Sequence, residues 1–444
     1  MGPGPLNGGA VHPYQSRTRH EEAVTSDATA PGVFCMSISF WQQARRTQKM
    51  TYDVIVVGGG IVGCSTAYWL HRHQPSLRVA IVEAKTLGAG ASGRNAGLIW
   101  QGTAADYLTD IDRYGERTAR RLWHFTRANR DLLASEVPGP TVGWASDGSL
   151  RAAGTEAEAE RLKAGLGRLR AAGAPAVYLE PDQANERVGA TGLHGGLYVT
   201  TGAVVDPLRL VHYLAEASTA DVHTHLPVRE MHWDATDGVL LDTPDLRLWG
   251  RRVVLAMGAS LPSLVPSLSD YVQPVRAQML STAPASDSAI AVPVYSHRGD
   301  FYVRQLPSGE VLAGGGRHQH EAAEETRVDS TTPAVQATIE RYLHTHYPWT
   351  QDLSIRQRWS GTMAMSPDGR PVVGSIPDHP DSVYATGFTG HGLGYGFRMG
   401  RLLARRAAGT TRPDGYDLFA DTRFDETDER PRTGSSRSRE STRT

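Results

Sequence analysis

The segment DVIVVGGGIVGCSTAYWLHRH (residues 53–73), with RVAIVEA (78–84) behind it, constrains the fold of this chain more than any other stretch. Residues 53–57 are rich in β-branched side chains and suit a parallel strand covered on both faces. Gly58-x-Gly60-x-x-Gly63 follows at once, and an apolar helical stretch comes next. In such a turn Gly58 permits the tight bend, Gly60 lets backbone amides approach a pyrophosphate, and Gly63 lets the helix pack closely on the strand. Ile61 and Val62 lie in the first turn of that helix, whose N-terminal dipole would face the phosphates. The second strand ends in Glu83-Ala84, the acid standing twenty residues past Gly63. A carboxylate there takes the hydroxyls of an adenosine ribose. Strand, loop, helix, strand and terminal acid in this order predict a dinucleotide site. NAD and FAD both satisfy it; the acid argues against a 2′-phosphate, and so against NADP.

A second glycine-rich stretch, TGFTGHGLGYG (386–396), lies near the other end of the chain and joins a predicted strand at 382–388 to a predicted helix at 392–407. Between the two loops, periodicity predicts helices near 105–136 and 154–172 and a strand or hairpin piece at 143–153. Asp206 as N-cap and Pro207 at the first helical position open a helix over 206–218. A buried strand at 251–260, alternating strands near 274–282 and 299–317, and a helix at 332–348 follow. Residues 1–49 are rich in Gly, Pro, Ser and Thr without a sustained period and read as disordered. So does the Ser/Arg tail at 425–444.

Composition narrows the function classes. A net charge of −1 over 444 residues creates no global field calling for nucleic acid or an anionic membrane. The tail reads as a solvated segment rather than a nucleic-acid arm, and no apolar run reaches membrane-spanning length. Two cysteines, Cys35 and Cys64, build no disulfide framework, and no Cys/His set has metal-ligand spacing. A reducing cytoplasm is the expected compartment. Of the 46 basic residues only Lys49, Lys85 and Lys163 are lysines.

With GAGASGRNAGLIWQG (88–102), these features resemble the family of D-amino acid oxidase, glycine oxidase and sarcosine oxidase. VVLAMGA (253–259), PVRAQML (274–280), FYVRQLPSGEVLAGGGR (301–317) and WSGTMAMSPDGRPVVG (359–374) extend the resemblance in family order over roughly residues 52–424. The resemblance implies an α/β (α+β) fold. A glutathione-reductase-type, Rossmann-like FAD-binding domain would occupy 50–136, 198–272 and 357–424. A mixed-β-sheet substrate domain, interleaved with it, would occupy 137–197 and 273–356. It also implies cofactor contacts beyond the first loop. Ser92 would meet a phosphate, Arg94 and Asn95 the ribityl-phosphate region, and Ala96, Gly97 and Leu98 would run under the flavin. Val228 matches a position whose backbone meets adenine; Ala256, Gly258 and Gly361 complete the set. The second glycine loop would meet the isoalloxazine through Gly390, His391, Gly392, Leu393 and Gly394, with Gly387 shaping the strand exit. Reduced flavin carries negative charge near N1, and a helix N-terminus with free amides stabilises an anion there. No cysteine follows Cys64 and the 88–102 loop has no histidine, so noncovalent FAD is expected.

The chemistry implied by the resemblance is oxidation of a carbon–nitrogen bond, with hydride transfer to flavin N5 and hydrolysis of the imine. Two departures from the family pattern bear on it. Glycine-oxidase-type enzymes carry a carboxylate-clamping arginine in Trp-x-Gly-x-Arg-Pro, where this chain has Trp359-Ser-Gly-Thr-Met363. That segment looks more like gamma-glutamylputrescine oxidase and related amine oxidases. A carboxylate could still meet Arg304 or Arg317 from the sheet, which leaves amino acids open as substrates. Leu312 stands where sarcosine-type oxidases use a lysine for oxygen, so O2 or another electron acceptor is open. His391, Tyr302 and Arg304 are the candidate catalytic side chains. The partners expected are a small amine or amino acid and an electron acceptor, with no metal and no nucleic acid. A 2-hydroxy-acid dehydrogenase on the same fold and a flavin-binding protein without turnover are the alternative readings.

Overall fold

The first glycine motif folds as a strand–helix–strand unit because its apolar residues are covered on every side. In the computed structural model, β1 (Lys49–Val57), α1 (Ile61–His73) and β2 (Val79–Val82) form it. The last four residues of β1 and all of β2 are buried, and β1 runs parallel between β2 and the strand Arg247–Leu255. The ten residues from Ile61 to Leu70 are buried, since α1 packs on this sheet and against the closing helix, Gly392–Ala407, which itself packs on the neighbouring strands. Gly396 and Gly400 make that approach possible. A Cβ on Gly396 would stand 3.0 Å from the Ile61 side chain, and one on Gly400 would overlap Ser65.

The structure describes residues 49–103, 105–234, 238–287, 289–410 and 413–425, together with Met1, Gly2, Ser39 and Phe40. The disorder expected for the N-terminal extension and the tail falls almost wholly outside them. Trp41–Thr444 cluster as one compact unit and Met1–Phe40 as another. No described helix is long and apolar enough to cross a membrane.

Two eight-stranded mixed sheets organise the main unit. The first runs Val372–Ile376, His379–Thr386, Arg247–Leu255, β1, β2, Asp221–His223, with Val239–Asp242 added antiparallel to Arg247–Leu255 and Glu230–Trp233 antiparallel to Val239–Asp242. His379–Thr386 is parallel to Arg247–Leu255, which is parallel to β1. Three strands therefore end on one edge, and that edge carries Gly58, Ala256–Gly258 and Gly387. Carboxyl ends of parallel strands are where open α/β sheets bind ligands.

The second sheet runs Ile355–Met365, Gln273–Thr282, Val311–Gly315, Phe301–Gln305, Val294–Ser296, Ser149–Ala152, Gly196–Val199, Ala176–Leu179. One face packs on the helix Pro333–His346 through Leu280, Val303, Ile339 and Leu343. The other meets the first sheet's loops, and the short pair Leu98–Ile99 and Ala203–Val204 lies between.

Several boundaries differ from expectation. Helix 105–136 is two helices, Tyr107–Tyr114 and Glu116–Glu136, because Gly115 adopts φ 78° and breaks the ladder. Asp106 caps the first by accepting from the Thr109 amide. Ile355–Met365 belongs to the second sheet, where it pairs with Gln273–Thr282 along nearly its whole length. The crossing to the first sheet thus comes after Met365 rather than at 357. Likewise, Gly196–Val199 is a strand of the second sheet, so the crossing after it lies beyond 198. Local pattern cannot place such crossings, because long-range antiparallel register decides them.

Candidate active site

Backbone geometry shapes the first loop. Gly58 has φ 111°, and a Cβ there would collide with the Ala256 carbonyl. The Ala256 amide in turn donates to the Val57 carbonyl at 2.8 Å. A Cβ on Gly63 would overlap the Gly58 carbonyl, so this glycine serves close packing. The Gly258 carbonyl (φ 54° at that residue) accepts from Thr386 Oγ1 at 3.1 Å, which ties the two glycine segments together. Glu83 accepts from the Gly59 amide and the Lys85 amide, each at 2.8 Å, and this fixes its carboxylate beside the loop with Ala84 exposed behind it. The Leu226 amide donates to the Glu83 carbonyl at 2.9 Å, and Val228 lies two residues on, packed against the same core. Ser92 Oγ accepts from the Ile61 amide at 2.9 Å. Gly60 provides no side-chain cap for α1, and Ile61 and Val62 are buried.

Three side chains expected at the ligand are committed elsewhere. Arg94 donates to the Ala89 carbonyl (2.7 Å), the Ser360 carbonyl (2.9 Å) and Asp329 (2.9 Å). Asn95 donates to the Ala91 and Ser92 carbonyls and accepts from the Gly97 amide. These two side chains fold the 88–97 loop and tie it to Ile355–Met365, where Gly361 passes over the Arg94 side chain. Arg304 is buried, and its Nη1 donates to the Ala96 and Val205 carbonyls at 2.8 Å each. Burial pulls its pKa down to about 10, opposed by the Asp206 charge. It is a strut between the sheet and the segment at Ala96, Gly97 and Leu98. A Cβ on Gly97 (φ 75°) would stand 2.5 Å from Arg304 Nη1.

Strand alternation puts Tyr302 on the same face as Arg304. Register then builds a row across the sheet: Arg151 opposite Tyr295, Tyr295 opposite Tyr302, Tyr302 opposite Gly314. Gly314 leaves room for the Tyr302 ring, which a Cβ would meet at 2.5 Å. Trp100 packs on Tyr295 with ring centroids 4.5 Å apart, and Tyr302 lies 5.7 Å from Tyr295.

The second glycine loop faces this row. His391 is 7% exposed, its ring lies 5.8 Å from Tyr295, and neither ring nitrogen has a hydrogen-bond partner among the described residues. Burial first, and the Arg151 charge second, lower its pKa to about 4. A Cβ on Gly390 (φ 78°) would meet only Met363 Sδ at 3.3 Å, and one on Gly392 would meet nothing. Gly394 lets the Trp100 carbonyl come close, 2.6 Å from where a Cβ would be. Leu393 is buried, and its carbonyl accepts from fully buried Asn129, which also accepts from the Arg398 amide. Asn129, Trp100, Tyr295 and Arg151 were not anticipated from sequence. For Arg151 the available signal was an arginine inside the short apolar strand SLRA, all four of whose residues are buried.

Two helix N-termini whose N-cap residues provide no side-chain cap, a glycine at 392 with open space before it, and an orphaned buried imidazole fit an elongated group. Such a group has phosphates at one end and a ring that tolerates negative charge at the other. Comparison with known proteins agrees. Residues 53–406 match the family described as DAO, FAD dependent oxidoreductase. Glycine oxidase of Geobacillus kaustophilus (strain HTA426) is 27% identical over 365 residues, covering 80% of this chain and 92% of the relative. Gamma-glutamylputrescine oxidoreductase of Escherichia coli (strain K12) is 25% identical over 399 residues, covering 84% and 87%. The crystal structure of glycine oxidase from Geobacillus kaustophilus superimposes with a TM-score of 0.69 at 23% identity, covering 81% of this chain and 95% of that one.

Proposed function

The chain belongs to the DAO family of FAD-dependent oxidoreductases, and from that premise we propose that it oxidises the carbon–nitrogen bond of a small amine or amino acid. The substrate lies between the loop at 387–394 and the sheet face that carries Tyr295 and Tyr302. Bound FAD supplies the hydride acceptor for the carbon beside nitrogen, and the imine product hydrolyses in water. The chain's own part is to bind, orient and dry the reacting group. Tyr295, Tyr302 and Trp100 supply the apolar walls. His391, neutral at physiological pH, has one N–H to donate and one lone pair to accept with.

The observation that carries this reading is the convergence of both glycine loops on one sheet edge, beneath an aromatic face and beside a buried imidazole without a protein partner among the described residues. Noncovalent attachment is supported by Cys64, which is fully buried in α1 with its thiol pushed up by burial to about 12. Leu312, opposite Arg304 in the sheet, brings no charge toward oxygen, which supports an acceptor other than O2.

Anaerobic mixing of the flavin-loaded protein with a panel of primary and secondary amines, amino acids and 2-hydroxy acids tests the proposal. Bleaching of the visible flavin bands by amines is the expected result. Bleaching by hydroxy acids alone, or by nothing in the panel, overturns it. Re-oxidation by air or by a quinone dye then identifies the acceptor, and flavin in the supernatant after acid precipitation establishes noncovalent binding.

A further inference from the structure

Asp329, which no motif marks, ties the loop at 88–97 to the second sheet. It lies in the irregular segment 325–332, which joins the short helix Glu321–Glu324 to the helix Pro333–His346. A buried frame fixes this segment on both sides of Asp329. Arg276, on the strand Gln273–Thr282, forks onto Glu324 at 2.8 and 2.7 Å, and both side chains are buried. The same guanidinium donates to the Ala323 carbonyl, to the Val328 carbonyl and to Ser330 Oγ, so every N–H of the fork is used. Gln278 accepts from the Thr332 amide at 2.9 Å and donates to Glu324 at 3.0 Å. A buried network satisfied in this way is rigid.

From that frame the Asp329 carboxylate reaches out to the loop. Its Oδ1 accepts from Arg94 Nη1 at 2.9 Å and from Ser360 Oγ at 2.8 Å. Ser360 stands opposite Gln278 in the sheet, which puts the contact directly beside the frame. Arg94 spans the loop, since its Nε donates to the Ala89 carbonyl and its own carbonyl accepts from Trp359 Nε1. Farther along, Ser92 Oγ accepts from the amide of Ile61, the first residue of α1. A chain of contacts thus runs from Asp329 through Arg94 and Ser92 to the helix N-terminus where phosphates bind in such units.

The frame and the contact differ in exposure. Glu324 and Arg276 have side chains 0% and 5% exposed, whereas Asp329 and Arg94 are 43% and 32% exposed. Water and salt compete for the outer pair and not for the inner one, so the outer pair can open while the segment keeps its place.

We propose that Asp329 is a positioning residue for the cofactor: through Arg94 it holds the loop at 88–97 closed against the N-terminus of α1, and FAD enters and leaves when that contact opens. This rests on the reading of the loop as part of the cofactor site, and the test separates the two.

Flavin-loaded protein is diluted, and release is followed by the rise in flavin fluorescence at low and at high salt. Asp329→Ala is expected to release flavin about three- to tenfold faster than the wild type at low salt. High salt brings the wild type toward the variant. Asp329→Glu, which keeps the charge, restores slow release, and Glu325→Gln, in the same segment, releases as the wild type does. The flavin-free proteins are expected to melt together, because the frame on Arg276 does not use the Asp329 side chain. A release rate in Asp329→Ala equal to that of the wild type overturns the proposal. So does slower release, which would mean that Asp329 withholds Arg94 from the cofactor. Faster release matched by earlier melting of the flavin-free variant also overturns it, since Asp329 then serves the fold alone. Should Asp329→Ala fail to fold, Asp329→Asn keeps the shape without the charge and is scored in the same way. Gly58→Ala separates the underlying reading. If it loses flavin while Asp329→Ala releases normally, the latch falls and the cofactor site stands. If neither variant alters flavin binding, both fall.

Discussion

His391 makes the folded protein acid-sensitive by a predictable amount. Its ordinary pKa of 6.5 falls to about 4 in the folded state, with burial the larger cause and the Arg151 charge the smaller. Between these values the unfolded chain binds a proton that the folded protein refuses, so stability rises with pH across the window. The contribution is complete above pH 6.5 and is lost as pH falls toward 4. At about 1.4 kcal/mol per pKa unit, the whole effect is about 3 kcal/mol, and about 2 kcal/mol of it is gone by about pH 5. Replacing His391→Asn removes the titrating group and keeps a small polar side chain. Urea unfolding of the flavin-loaded wild type and variant, at about pH 8 and about pH 5, gives two stability gaps. The gap should move about 2 kcal/mol in the variant's favour on acidification. His297 provides an internal comparison, since burial and the neighbouring His346, His318 and His194 lower it to about 4 as well. His297→Asn should shift the gap in the same direction. If the His391→Asn gap moves by less than about 0.5 kcal/mol, the imidazole is solvated or partnered in solution, and the picture of a dry, unpartnered ring is wrong.

Gly58→Ala forces a positive φ on a residue with a side chain, at about 1–2 kcal/mol, and drives the new methyl into the Ala256 carbonyl, at about 1–3 kcal/mol. The purified variant should carry little FAD and melt early; wild-type flavin content and melting would refute the assigned role of this turn. Asn129→Ala removes the hydrogen bonds to the Leu393 carbonyl and from the Arg398 amide, each at about 0.5–1.5 kcal/mol. It should loosen the first turns of the closing helix, read as faster flavin release on dilution, and an unchanged release rate counts against Asn129 as its anchor.

The fold of the first glycine unit was legible because every step of it is local. Strand, turn, helix and acid lie within 32 residues, Gly58 and Gly63 make the close backbone approaches expected of such a turn, and Glu83 accepts from the Gly59 amide. The second loop was legible in outline, but its glycines divide their work in a way that only packing reveals. Gly392 borders open space, Gly390 faces the Met363 thioether, Gly394 admits the Trp100 carbonyl, and Gly396 admits α1. The helix break at Gly115 and the allegiance of Ile355–Met365 were not legible. The first depends on one backbone conformation and the second on pairing with a strand far off in sequence.

The arginines show why the site's chemistry was harder to read than its fold. Nearly all positive charge in this chain is arginine, so residue type gives no hint of which cation serves a ligand. Arg304 and Arg94 sit in the motifs that drew attention to them, yet both are struts that hold the loop under the sheet. Arg276 is likewise spent, forked onto buried Glu324. Arg151 lies outside every recognisable motif, and only burial and strand register bring it into the row with Tyr295 and Tyr302.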